Sequence, residues 1–167
     1  MRESIGTTWV MQLMFGFILL FVSFLAVTIS YSKSFKIKNE ITSIIEKYGG
    51  FNNYSYNIIN GYLQSVGHFN DGKCTSEKNS NILGVNNLSV GSKPEEAVPN
   101  KRYYYCVKKE QVNTSGISNI YYEITTFYKF NLPVVGNITT FSIKGKTTDL
   151  TKYRGNDCFE ADCQQRS

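Results

Sequence analysis

The feature that most constrains this chain is an apolar run over residues 9–29, Trp-Val-Met-Gln-Leu-Met-Phe-Gly-Phe-Ile-Leu-Leu-Phe-Val-Ser-Phe-Leu-Ala-Val-Thr-Ile, uninterrupted by Asp, Glu, Lys or Arg. About 20 helical residues rise about 30 Å, the thickness of a bilayer's hydrocarbon core. Three assignments compete: a permanent anchor, a cleaved signal peptide and a buried core helix. A signal peptide wants a basic start, an apolar stretch of about 7–15 residues and a small-x-small cleavage site. Here Arg2 is offset by Glu3, the stretch is longer, and residues 26–32 offer no convincing site. A helix apolar on every face can be a core helix only inside a large protein, and the remaining chain is small. Length therefore favours the anchor. Trp9 and Tyr31 bracket the run as aromatic residues do at membrane interfaces.

Two signals disagree about orientation. Lys33, Lys36 and Lys38 follow the run while Arg2 precedes it, and a positive-inside count puts the C-terminal side in the cytoplasm. Four cysteines in a small domain point instead to an oxidising exterior. The expectation adopted is a single-pass protein of the cell membrane, its C-terminal domain outside the cytoplasm and the lipid bilayer its first partner.

The helix is expected to outlast the lipid. Residues 32–48 contain no Pro or Gly and place Phe35, Ile37, Ile41, Ile44, Ile45 and Tyr48 at near-helical spacing, before the stop Gly49-Gly50. This divides the chain into an anchor over 1–31, a juxtamembrane amphipathic helix over 32–48, and an extracytoplasmic domain over 49–167. The apolar stripe of 32–48 must lie on something, and the following domain is the obvious surface. Within the anchor, Gly16, Ser23 and Ser30 fall at heptad spacing, and Gln12 adds a polar side chain. Small residues on one face admit a second helix, so these four are the candidate assembly face, toward a second copy or other membrane helices. The same residue types are also common in membrane helices that assemble with nothing.

After Gly50 the periodicity predicts a helix over 54–66, with Ile58, Ile59, Tyr62, Leu63 and Val66 on one face and Gly67 as stop. Residues 70–100 are loop-like, with one short strand expected around 88–90. The period then becomes two. Strands are expected over 101–112, over 118–132 (Ile120, Tyr122, Ile124, Thr126, Tyr128 and Phe130 on one face) and over 137–149. Asn113-Thr-Ser-Gly116 and Pro133 to Gly136 mark the turns. Helix first and antiparallel meander after gives an α+β class, a small sheet backed by helix.

The cysteines are Cys74, Cys106, Cys158 and Cys163. Four allow three pairings, of which Cys74–Cys106 would pin the long loop to the sheet and Cys158–Cys163 would close the tail. Zinc prefers closer Cys-x-x-Cys pairs, so disulfides are favoured; free thiols in a reducing compartment stay open.

Catalytic constellations are hard to find. The single histidine, His68, would have to pair with Cys74 to make a Cys–His nucleophile. There is no Gly-x-Ser-x-Gly, phosphate loop or His-Glu-x-x-His. Asp157, Glu160 and Asp162 could meet a cation but lack an EF-hand spacing. A non-catalytic protein without cofactor or metal is expected. The net charge is +5, and Lys-Arg-Tyr-Tyr-Tyr-Cys-Val-Lys-Lys over 101–109 interleaves bases with aromatics, as single-strand platforms do. A strand with inward tyrosines and solvated lysines explains it as well and is preferred, so nucleic acid is not an expected partner.

The start, Glu3 followed by Ser-Ile-Gly-Thr-Thr-Trp-Val-Met-Gln-Leu-Met-Phe-Gly-Phe-Ile-Leu-Leu, resembles that of TadE-like pseudopilins of tight-adherence pilus systems. So does Tyr-Glu-Ile-Thr-Thr-Phe-Tyr-Lys-Phe-Asn-Leu-Pro-Val-Val-Gly over 122–136, with the Thr-rich strand after it. The resemblance covers the two ends of the plan and leaves out the middle loop. It implies a non-catalytic component of a pilus or secretion apparatus, acting through helix assembly and partner binding. Prepilins resemble one another in a Gly cleavage site followed five residues later by Glu; here Gly6 is followed by Met11. An unprocessed, membrane-held minor component fits that departure. The alternative is a membrane-tethered extracytoplasmic ligand-binding module unrelated to pili.

Overall fold

Helix α1, Arg2–Lys47, is unbroken, as expected of a segment without proline. Its end is built by the two glycines. Gly49 takes a left-handed φ of 68°, its N–H donates to the Glu46 carbonyl, and the Gly50 N–H reaches back to Ile45. That pair of bonds is the Schellman closure, and it satisfies carbonyls that the helix end would leave open. The computed structural model describes residues 2–74, 81–89, 91–114, 117–132 and 136–151.

Helix α2, Asn53–Ser65, follows at once. Its N-cap is Asn52, whose Oδ1 accepts from the Tyr54 and Ser55 N–H groups while Ser55 Oγ accepts from the Asn52 N–H. This reciprocal box starts the helix one residue earlier than its apolar spacing does. The same two-bond closure ends it, with Gly67 at φ 62°.

The strands are β1 (Ile82–Val85), β2 (Glu95–Glu96), β3 (Tyr105–Thr114), β4 (Ile117–Leu132) and β5 (Gly136–Lys146). They form one antiparallel sheet in the order β2-β1-β3-β4-β5. The three long strands are the expected meander, with bounds shifted by a few residues. The middle segment differs. The short strand lies at Ile82–Val85, not at 88–90, and adds to the free edge of β3. Leu88 is instead a buried plug in the loop, its carbonyl accepting from Gln64 Nε2 at 2.6 Å.

One face of the sheet carries the core. Val85, Tyr105, Val107, Ile120, Tyr122 and Ile124 meet Ile37, Ile41, Ile44 and Ile45 of α1 and Phe51, Tyr56, Ile59 and Leu63 at α2. The stripe on residues 32–48 therefore has its surface, with one exception: Phe35 stays exposed and stacks near Tyr31. The isoleucines of 37–45 are the middle of the domain's own core, so the folded unit includes the second half of α1.

On the opposite face a smaller cluster joins Cys74, Ile82, Tyr103, Cys106 and Phe127. Glycine is needed where this cluster closes, because a Cβ on Gly84 would run into the buried Tyr103 ring. Gly84→Ala is expected to cost about 1–3 kcal/mol, an overpacking penalty. A thermal melt would read it, and an unchanged midpoint would mean that Tyr103 moves aside freely.

Candidate functional site

Residues 8–22 of α1 project from the domain and are all exposed. Leu13, Phe17 and Leu20 are each about 70% exposed, and the helix is long and apolar enough to cross a membrane. Water would penalise so much exposed hydrocarbon heavily, at roughly 25 cal/mol per Å². A contiguous apolar surface of this size marks contact with lipid or protein.

The expected assembly face divides into two. Gln12 and Gly16 lie together in a notch lined also by Trp9, Leu13, Phe17 and Leu20, and a side chain added at Gly16 would meet open space. Ser23 and Ser30 sit differently. Both are half-buried, as is Val27 between them, whereas Val22 is 55% exposed. Residues 23, 27 and 30 extend the stripe of Ser34, Ile37 and Ile41, all buried against the domain. Ser23 also spends its hydroxyl on the Leu19 carbonyl, 2.8 Å away. Of the four expected residues, Gln12 and Gly16 are therefore the two left exposed.

Cys74 and Cys106 form a disulfide, with Cα atoms 5.9 Å apart. It ties the loop after α2 to β3. Cys158 and Cys163 lie outside the described residues, as do Asp157, Glu160 and Asp162. With Cys74 oxidised, a Cys74–His68 nucleophile does not exist. Among the described residues no cluster of His, Cys, Asp and Glu is placed to hold a metal ion.

His68 is nevertheless informative. It is 3% exposed, and its Nε2 has no hydrogen-bond partner. Burial and, secondarily, the Lys33 cation push its pKa down to about 4, although a hydrogen bond to the Phe127 backbone works the other way. The folded value lies below the unfolded 6.5, so this group's contribution is complete above pH 6.5 and is lost as pH falls toward 4. At about pH 4.5 the expected loss is about 2 kcal/mol relative to about pH 7. Thermal unfolding in detergent micelles should show it, and His68→Phe should remove that share of the acid sensitivity. An equal acid loss in the variant would assign the effect to other groups.

The basic–aromatic stretch at 101–109 resolves into core and ion pairs. Tyr103 and Tyr105 are fully buried, and Tyr105 donates to Asn60 Oδ1 at 3.1 Å. Lys101 pairs with Glu95 and Lys108 with Glu110. The sheet's open face carries Lys144–Glu123 and Lys146–Glu110 pairs, and hydrogen bonds from Lys146 and Lys108 hold the Glu110 carboxyl below its ordinary range. Alternation of Lys and Glu on a solvated strand face explains these residues without a ligand. Comparison with known protein families, with curated proteins and with solved structures finds no match.

Proposed function

We propose that this chain is a non-catalytic, single-pass membrane protein, pseudopilin-like in plan. Its helix holds it in the bilayer and joins it to other helices of a pilus or secretion apparatus, while the disulfide-bearing domain stands outside the cytoplasm. The observation that supports the reading is the division of labour along α1. One continuous helix is exposed and apolar over residues 8–22 and contributes Ile37, Ile41, Ile44 and Ile45 to the core of an antiparallel α+β domain over its second half. Such a helix couples a domain rigidly to whatever its apolar half binds.

The test is crosslinking in native membranes through Leu13→Cys, beside the notch. Crosslinked copies, or adducts with another membrane protein, are expected. Gly16→Ile should lower their yield several-fold, because the β-branched side chain fills the space through which a second helix approaches. Monomer alone, with the chain in the membrane fraction, would discard the assembly role and leave the tethered binding module.

A further inference from the structure

The β4–β5 hairpin does not stop where the membrane segment begins. Three contacts set its height against α1. Glu46 accepts from the Thr148 N–H, and Thr147, next to it, donates to the Tyr122 carbonyl. The Lys38 stem fills the space beside Gly145, which pairs with Ile124. Tyr31 meets Tyr128 edge to face, ring centres 6.0 Å apart. From Glu46 to Tyr31 the helix descends about 22 Å, and from Tyr122 to Tyr128 the strand advances about 20 Å. Helix and strand therefore run side by side and antiparallel.

Both arms continue past Tyr128. Pairing persists through Phe130↔Ile138, Asn131↔Asn137 and Leu132↔Gly136, after an irregularity between Lys129 and Phe130. Four more strand residues add about 13 Å, which brings Leu132 level with the neighbourhood of Val22 and Ser23. The burial of α1 agrees: Ser30, Val27 and Ser23 are half-covered on the stripe that faces the sheet.

The charges draw the same line. No charged residue occurs between Glu3 and Lys33 on the helix, or between Lys129 and Lys144 on the hairpin. Lys33 stands about 3 Å above the Tyr31–Tyr128 contact and Lys129 about 3 Å below it. Tyr31, Phe35, Tyr128 and Phe141 form a chain of ring contacts there. At the same height Asp71 holds Arg102 at 2.6 Å and Lys129 at 2.5 Å. Aromatic rings and flanking cations at one level are the signature of a membrane–water border.

We infer that the paired strand ends, residues 130–132 of β4 and 136–138 of β5, are a second membrane contact, dipping into the same leaflet that the helix exits. This rests on the anchored reading of α1. The paired arms reach about 13 Å below the tyrosine contact, and because β5 is an edge strand its outward backbone groups must be met there by water or headgroups drawn in beside it.

The test uses the full chain in phosphatidylcholine vesicles, with Trp9→Phe removing its one tryptophan. Tryptophan is then placed singly by Leu132→Trp, Asn137→Trp, Ile18→Trp or Val112→Trp. Reporters at 132 and 137 are expected to lose emission when the acyl chains are brominated and to resist aqueous iodide. The reporter at 112, exposed at the other end of the sheet, should do the reverse. Iodide quenching without lipid quenching at both hairpin positions, with the reporter at 18 quenched by lipid, overturns the hairpin inference and leaves the anchor standing. A reporter at 18 that lipid does not quench overturns both. Two hairpin reporters keep the test decisive should one variant fail to fold.

Discussion

A fragment that begins at Ser32 is expected to fold, and one that begins at Gly49 is not. The second half of α1 supplies Ile37, Ile41, Ile44 and Ile45, each under 8% exposed, to the face of the sheet. Burying four such side chains at about 2 kcal/mol each contributes on the order of 8 kcal/mol. The whole stability of a domain is about 5–15 kcal/mol, so their removal leaves little or nothing. Within the full chain, Ile41→Ala is expected to cost about 3 kcal/mol through lost contact and a residual cavity. Thermal unfolding checks both. A cooperative transition in the fragment 49–167 would show that α1 only rests on a domain complete without it.

Loss of the Cys74–Cys106 bond is the second large effect. It closes a loop with a sequence separation of 32. Chain-entropy reasoning assigns such a closure about 3–4 kcal/mol. The native side adds to this, since both sulfurs sit among Ile82, Tyr103 and Phe127 beneath the open face of the sheet. The paired variant Cys74→Ser, Cys106→Ser isolates this bond from whatever Cys158 and Cys163 do, which reductant alone would not. A midpoint lowered by several degrees in micelles is expected. An unchanged midpoint would mean that the loop is held by its other contacts, among them the Gly72–Tyr103 bridge.

Much of this architecture was legible in the sequence because its periods are strong. An uncharged apolar run, a stripe of isoleucines at helical spacing and a double glycine predict α1 almost to the residue. Alternation of Ile, Tyr and Thr over 118–132 predicts β4. The short strands were not legible. Ile82-Leu-Gly-Val85 is too brief to show a period, and it becomes a strand only because the edge of β3 offers partners. Which of the small residues on α1 stay exposed was half legible. Heptad spacing groups Gly16, Ser23 and Ser30, but spacing cannot tell a face covered by the chain's own domain from one left open. That distinction comes from the continuation of the stripe Ile41, Ile37, Ser34 down the helix, a long-range packing effect with no local signal.

The unbroken passage of α1 from apolar half to domain core has a consequence of phase. No glycine or proline interrupts residues 17–48, so there is no swivel between the two halves. Each residue turns a helix by about 100°. The compass direction of the Gln12–Gly16 notch is thereby locked to the direction in which the sheet's Lys–Glu face looks. One residue inserted between Ile29 and Ser34 would leave both surfaces chemically intact and point them at different neighbours. In an assembly built from many copies, that angle rather than any single contact sets which surface of one subunit meets which surface of the next.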